Sequence, residues 1–230
     1  MKPVLAVATN TEKYEKFDTP TGLWFSELTH FYDEVNAEIP VVIASPQGGN
    51  TPFDPVSLRK MFVDGKTEKH FKDPAFRKAL RETAKLSDLN PDDFSAIYFT
   101  GGHGTMFDFV GNPELDAFTA KIYSNGGLVS AVCHGVGALS TVSINGRALI
   151  AGKTITGFSN TEEKLAMRTK HVPFLLEDRL KEVGANYTKA ALPYTSFTQV
   201  DGRVITGQNP QSARAVGQIV REALLNKPAS

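Results

Sequence analysis

Cysteine is almost missing from this chain, and so is any bias of charge. The only cysteine, Cys133, excludes an intrachain disulfide and a cysteine-built zinc cluster. A lone free thiol suits a reducing compartment. Lysine plus arginine and aspartate plus glutamate each number 25, so no basic field exists to hold nucleic acid or an anionic membrane, and neither is expected as a partner. No apolar run approaches a membrane span. The opening run, Val4 to Ala8, is too short for a secretory leader and reads as a first strand, which makes the cytoplasm the expected location. A neutral surface opposes self-association only weakly, and a homodimer is expected. Repeats, low-complexity tracts and linkers are absent as well. What remains, 230 residues with 41% hydrophobic and 22% charged content, is enough for one sizeable domain spanning 1–230.

The apolar pattern alternates between strands and helices. Strands are expected at Val4–Ala8, Pro40–Ser45, Ala96–Phe99, Leu128–Val132, Lys153–Phe158, Tyr187–Ala191 and Phe197–Val200, the last turning at Asp201-Gly202 into Val204–Thr206. Helices are expected at Leu23–Asn36, Asp73–Leu86, Pro113–Ser124, Val172–Val183 and Pro210–Leu225, with another opening at Ser159. Residues 46–70, rich in glycine and proline at their start, read as a surface insertion. The pattern predicts an α/β domain of the flavodoxin-like, doubly wound kind: a mostly parallel sheet sandwiched by helices, with ligands beyond the carboxyl ends of its strands.

Gly127 to Leu139 carries the strongest chemical signal. Cys133 follows the apolar run Leu128–Val132 and precedes Gly135, Gly137 and Ala138, the layout of a nucleophile elbow. There the positive end of the next helix favours thiolate. A small buried core residue is an equally good reading of Cys133 taken alone. His134, next to it, can take the thiol proton, and a carboxylate on its far nitrogen would fix the tautomer. Glu162 and Glu163 both qualify, and one of them is expected to serve only the helix dipole. Gly101 and Gly102, in the turn that also carries His103, let backbone N–H groups face a ligand, so that Gly102 and His134 would form an oxyanion hole. Glu27 sits in the apolar stretch Leu23-Trp24-Phe25-Ser26-Glu27-Leu28. It is either on a solvated helix face or held with a raised pKa, ready to donate a hydrogen bond or shuttle a proton. His30, His70 and His171 show no ligand spacing, and no metal or cofactor is assigned.

Six segments in order resemble the ThiJ/PfpI superfamily, whose fold is that of the class I glutamine amidotransferases. They are Gly22–Tyr32, Ala44–Gly49 with Pro52 and Asp54-Pro55, Thr100–Gly104, Ala131–Gly135, Thr156–Glu163 and Gly207–Ala213. They are most similar to the heat-shock branch of stress-induced chaperones with glutathione-independent glyoxalase III activity. The resemblance implies Cys133 as nucleophile with His134 beside it, a protonated carboxyl at Glu27, and Glu163 as triad acid with Glu162 as the alternative. It also implies Gly102 and His134 at the oxyanion positions, with Gly101, His103 and Trp24 around the substrate. Thr100 and Val136 depart from the branch, where proline is usual at the first place and common at the second; both flank the oxyanion turn and bear on substrate fit. The glutamine-hydrolysing relatives' Gly-x-Cys-x-Gly elbow and distant His-x-Glu are missing, which argues against ammonia transfer.

The expected activity is then that of a cofactor-independent lyase of the D-lactate dehydratase type, converting methylglyoxal and water to lactate through a Cys133 hemithioacetal. A holding chaperone for unfolded clients is the alternative from another class. Deglycase, amidase or isonitrile hydratase chemistry on the same elbow, and redox sensing by Cys133, are further alternatives.

Overall fold

The computed structural model describes residues 1–226, so the last four positions of the expected 1–230 domain lie outside the described residues. In chain order the elements are β1 (Val4–Val7), α1 (Phe25–Val35), β2 (Val41–Ser45), α2 (Gly65–Lys72), α3 (Pro74–Arg81), β3 (Ala84–Lys85), β4 (Ala96–Phe99), α4 (Thr105–Asp108), α5 (Pro113–Ser124) and β5 (Leu128–Val132). There follow β6 (Ser143–Ile144), β7 (Arg147–Ala148), β8 (Thr154–Ile155), α6 (Asn160–Leu165), α7 (Leu176–Glu182), β9 (Asn186–Tyr187), β10 (Thr198–Asp201), β11 (Val204–Gly207) and α8 (Ala213–Leu225). No helix among them is long and apolar enough to cross a membrane.

Seven strands form the main sheet in the order β10-β11-β5-β4-β1-β2-β3, all parallel except the β10–β11 hairpin. β1, β4 and β5 are buried along their whole length, as strands covered on both faces must be. Ser130 is tolerated inside β5 because its hydroxyl donates to the Ile97 carbonyl at 2.9 Å. On the helical side, the Phe31 ring stacks on Tyr98 of β4 at 3.6 Å, and the Tyr98 hydroxyl donates to the Glu27 carbonyl. The chain enters the sheet at β1, builds outward through β2 and β3, then returns to lay β4 on the other side of β1. That reversal opens a crevice above the carboxyl ends of β1, β4 and β5, the place where such sheets bind ligands.

Local chemistry redrew four expected elements. The helix expected over Asp73–Leu86 is α3 alone. Pro74 cannot continue α2 and bars Asp73 from helical geometry, so Asp73 closes α2 and caps α3 by accepting from the Ala75 N–H. Beyond Arg81 the chain extends into β3 on the sheet edge. The strand expected over Lys153–Phe158 shrinks to β8, which pairs with β9 outside the main sheet, and Thr156 N–H turns to the Thr206 hydroxyl instead of a ladder carbonyl. The helix expected from Val172 begins only at Leu176, after Pro173. The segment after Cys133 is a 3-10 run, Cys133–Ser140, tightened around Gly135 and Gly137.

Gly135 shows how closely the elbow sits on the sheet. A Cβ there would lie 2.2 Å from the Thr100 carbonyl oxygen and 2.8 Å from that of Phe99. Both are backbone atoms that cannot swing away. Gly135→Ala is therefore expected to destabilise the fold by about 1–3 kcal/mol or more, read as a lower midpoint in urea unfolding.

Candidate active site

The crevice gathers side chains from four elements. Cys133 leaves β5 with φ +56, in the left-handed region that non-glycine residues avoid. Such strain persists where the surroundings over-determine it, and here it lifts the side chain out of the strand direction. His134 turns back beside it, with Nδ1 3.3 Å from Sγ. Its other nitrogen, Nε2, is 2.7 Å from Glu163 Oε2. With Nε2–H donated to that carboxylate, Nδ1 is left as an acceptor facing the thiol. Phe158 covers the imidazole, with ring centroids 4.4 Å apart.

Glu163 and Glu162 part company at the start of α6. Ser159 caps that helix, and Glu162 completes a capping box by accepting from the Ser159 N–H and hydroxyl. The other Glu162 oxygen accepts from Tyr194 N–H and from Asn209 Nδ2. Glu162 is thus committed to holding loops together, and Glu163 faces the imidazole. His103, expected on the oxyanion turn, reaches across to the second oxygen of Glu163 at 2.9 Å and packs on His134. One carboxylate so spans two imidazoles. Burial alone would raise its pKa, but His134 and His103 hold it well below the usual carboxylate range. Burial, reinforced by His103, lowers the pKa of His134, which favours the neutral ring.

Glu27 is fully buried in the first turn of α1. The helix start is docked on the glycine turn: Trp24 N–H donates to the Gly101 carbonyl at 3.1 Å, and Gly101 N–H donates to Glu27 Oε2 at 2.7 Å. A Cβ on Gly101 would meet both that oxygen, at 2.3 Å, and the Cys133 Cβ, at 2.8 Å. Only glycine lets the carboxyl and the sulfur approach from two sides. Burial pushes the Glu27 pKa up to about 8, although Cys133 and the Gly101 N–H pull the other way. The helix dipole would favour the carboxylate, and desolvation wins. Glu27 Oε1 has no hydrogen-bond partner within normal geometry. On a protonated carboxyl that oxygen is the donor, and the Cys133 side chain is a hydrogen-bonding neighbour of the carboxyl.

The thiol departs from the expectation that the elbow favours thiolate. Burial and the adjacent Glu27 push the Cys133 pKa well up, and the His134 backbone N–H only partly offsets them. That direction favours the thiol over the thiolate, and His134 Nδ1 is the acceptor beside it. The N–H of His134 interacts with Sγ, and among the described residues the N–H of Gly102 has no acceptor. Thr100, the departure from proline, donates both its N–H and its hydroxyl to the Val7 carbonyl, tying the turn to β1.

Above Cys133 lies a cavity of about 360 Å³. Trp24, Gly102, His103, Cys133 and His134 line it, whereas Gly101, also expected around the substrate, is not in its lining. Asp54, Val56 and Phe62 of the 46–70 segment wall one side, and Leu165, Arg168 and Tyr194 another. Of these six, Asp54 belongs to a segment that carries the family resemblance, and the other five carried no motif in the sequence. Their loops reach the site through long-range packing, which local patterns do not encode. Among the described residues, His103, His134 and Glu163 are the one group whose potential metal-ligand atoms come within 4.8 Å of one another. Both Nε2 atoms already engage opposite oxygens of Glu163. A cation about 2 Å from every donor would have to replace both hydrogen bonds.

The DJ-1/PfpI family profile matches residues 26–222 of the chain. The Saccharomyces cerevisiae protein named glutathione-independent glyoxalase HSP31 is 32% identical, with 98% of both chains covered. The X-ray structure of Francisella tularensis Rapid Encystment Protein 24 KDa superposes with a TM-score of 0.94 at 40% identity, covering 98% of this chain and 100% of that one. Glyoxalase III from Candida albicans superposes with a TM-score of 0.87 at 30% identity, covering 96% and 97%.

Proposed function

Since the chain belongs to the DJ-1/PfpI family, we propose that it is a glutathione-independent glyoxalase, a lyase that turns methylglyoxal and water into lactate with Cys133 as covalent carrier. Relatives named for that activity match over nearly the whole chain, and the holding-chaperone alternative is not favoured. The observation that carries the reading is the pairing of two proton carriers on one sulfur. His134 offers a neutral acceptor on one side, and Glu27 a protonated carboxyl on the other.

The thiol proton passes to His134 Nδ1 as sulfur bonds to the aldehyde carbon. The oxyanion forms between the N–H groups of Gly102 and His134 and takes the Glu27 proton, giving the hemithioacetal. Glu27, now a carboxylate, removes the hydrogen from the former aldehyde carbon while the ketone oxygen takes the proton from His134. The product is an enediol. Glu27 returns its proton to the second carbon, the first hydroxyl gives its proton back to His134, and a lactoyl thioester remains. Water attacks that thioester, its proton goes to Glu27, and the departing thiolate recovers a proton from His134. Every group ends as it began, and one water has been consumed.

Glu163 keeps the imidazole aligned and stabilises it when charged. Glu163→Gln is expected to lower kcat by about a hundredfold or more with a smaller change in KM. The same assay tests the proposal itself. Chelator-treated protein without glutathione should convert methylglyoxal to lactate in equal amounts, and methylglyoxal consumption without lactate would refute it.

A further inference from the structure

Resting on that reading, we infer that Arg168 forms an anion subsite in the cavity above Cys133, and that the preferred substrates are 2-oxoaldehydes carrying a carboxylate a few bonds from the reacting carbonyl. The first argument is space. At about 30 Å³ for each water-sized group, the five non-hydrogen atoms of a three-carbon ketoaldehyde come to about 150 Å³, under half of the 360 Å³ cavity. A site shaped for that molecule alone would be smaller.

The second is an uncommitted charge. Arg168 lines the cavity and is half-buried. Among the described residues its guanidinium makes no ion pair and donates no hydrogen bond, and its one partner is the Tyr14 ring, 5.8 Å from Cζ. A planar fork of donors left free in a partly dry site suits a carboxylate. The cavity's acidic groups do not take it. Asp54 accepts from Val56 N–H and the Thr21 hydroxyl, and Glu163 is held by two imidazoles.

The third is how the backbone delivers the side chain. After α6 the Arg168 N–H bonds the Glu163 carbonyl and the Met167 N–H bonds that of Lys164, the paired closure of a Schellman motif. Glycine usually occupies the left-handed position of that motif, but here it is Met167, with φ +57 and a largely exposed side chain. The strained turn fixes Arg168 one helical turn from the acid that orients His134. Trp24 lines the same cavity, and its buried indole N–H has no acceptor among the described residues.

The test compares 4,5-dioxopentanoate, a 2-oxoaldehyde with a terminal carboxylate, against 2-oxohexanal, a neutral one of similar length. The parent should favour the carboxylate by about tenfold or more in kcat/KM, with the preference shrinking as salt is added. In Arg168→Met the ratio should fall to about one, and Arg168→Lys should restore part of it. Damage to the fold would lower both substrates together and leave the ratio standing, a result that overturns the subsite. Calorimetric titration of 4,5-dioxopentanoate into Cys133→Ala protein, with and without Arg168→Met, separates this inference from the reaction. Arg168-dependent binding without any turnover in the parent would refute the glyoxalase reading and keep the subsite. Equal binding with and without Arg168 overturns the subsite whatever the turnover.

Discussion

Glu27→Gln is expected to melt several degrees above the parent and to process 2-oxoaldehydes about a hundredfold more slowly or worse. Both effects come from one buried proton. In the unfolded chain Glu27 titrates near its ordinary value of 4.5, and in the fold burial lifts it to about 8. A group raised in this way supports the fold fully below pH 4.5. That support drains away as pH climbs through the window up to about 8, because the fold must keep a proton the unfolded chain has released. At pH 7 the cost is on the order of 3 kcal/mol, and a neutral amide of the same shape avoids it. Part of the gain is offset because one amide donor can reach only sulfur. The stability difference should therefore widen from pH 5 to pH 8, measured as melting temperature against pH. Glutamine can neither give nor take the proton that crosses between the two substrate carbons, so kcat should collapse. Equal stability of the two proteins across that window would mean that Glu27 is not protonated in the fold.

Cys133→Ala is expected to lose methylglyoxal turnover by roughly a thousandfold or more while remaining folded. In the proposed mechanism the sulfur carries the acyl unit between the two halves of the reaction. Its removal leaves His134, Glu163 and Glu27 in place but with nothing to act on. Cys133→Ser is a stricter control, since its hydroxyl preserves shape and hydrogen bonding yet is a poor nucleophile without a stronger base. Both variants should keep the parent's circular dichroism, because alanine and serine occupy less volume than cysteine at an already strained position. Lactate formed by either variant at rates near the parent's would remove Cys133 from the chemistry.

The sequence carried the elbow clearly and its surroundings unevenly. Cys133 and His134 are adjacent, so a single turn sets their geometry, and the strand before them is uniformly apolar. The residues alone left the choice between Glu162 and Glu163 open, although a signal for it was present. Ser159-Asn160-Thr161-Glu162 is a capping-box pattern, which assigns Glu162 to the helix end and frees Glu163. Glu27 was ambiguous because helical periodicity does not reveal a second wall. Only the docking of Trp24 on Gly101 closes the site over it. His103 read as part of a glycine turn, and its bond to Glu163 spans 60 residues of chain. Arg168 and Tyr194 gave no signal, since loops brought in by tertiary packing have no period to read. The elements most misjudged, α3 and β8, were those where one proline or one side-chain acceptor outweighed the run of apolar residues.

The central claim is a covalent lactoyl thioester on Cys133. Acid quenching during turnover of methylglyoxal, followed by digestion and mass spectrometry, should find the Cys133 peptide heavier by one methylglyoxal in a linkage that hydroxylamine cleaves. Steady lactate production with Cys133 unmodified, or with the adduct on another residue, would contradict it.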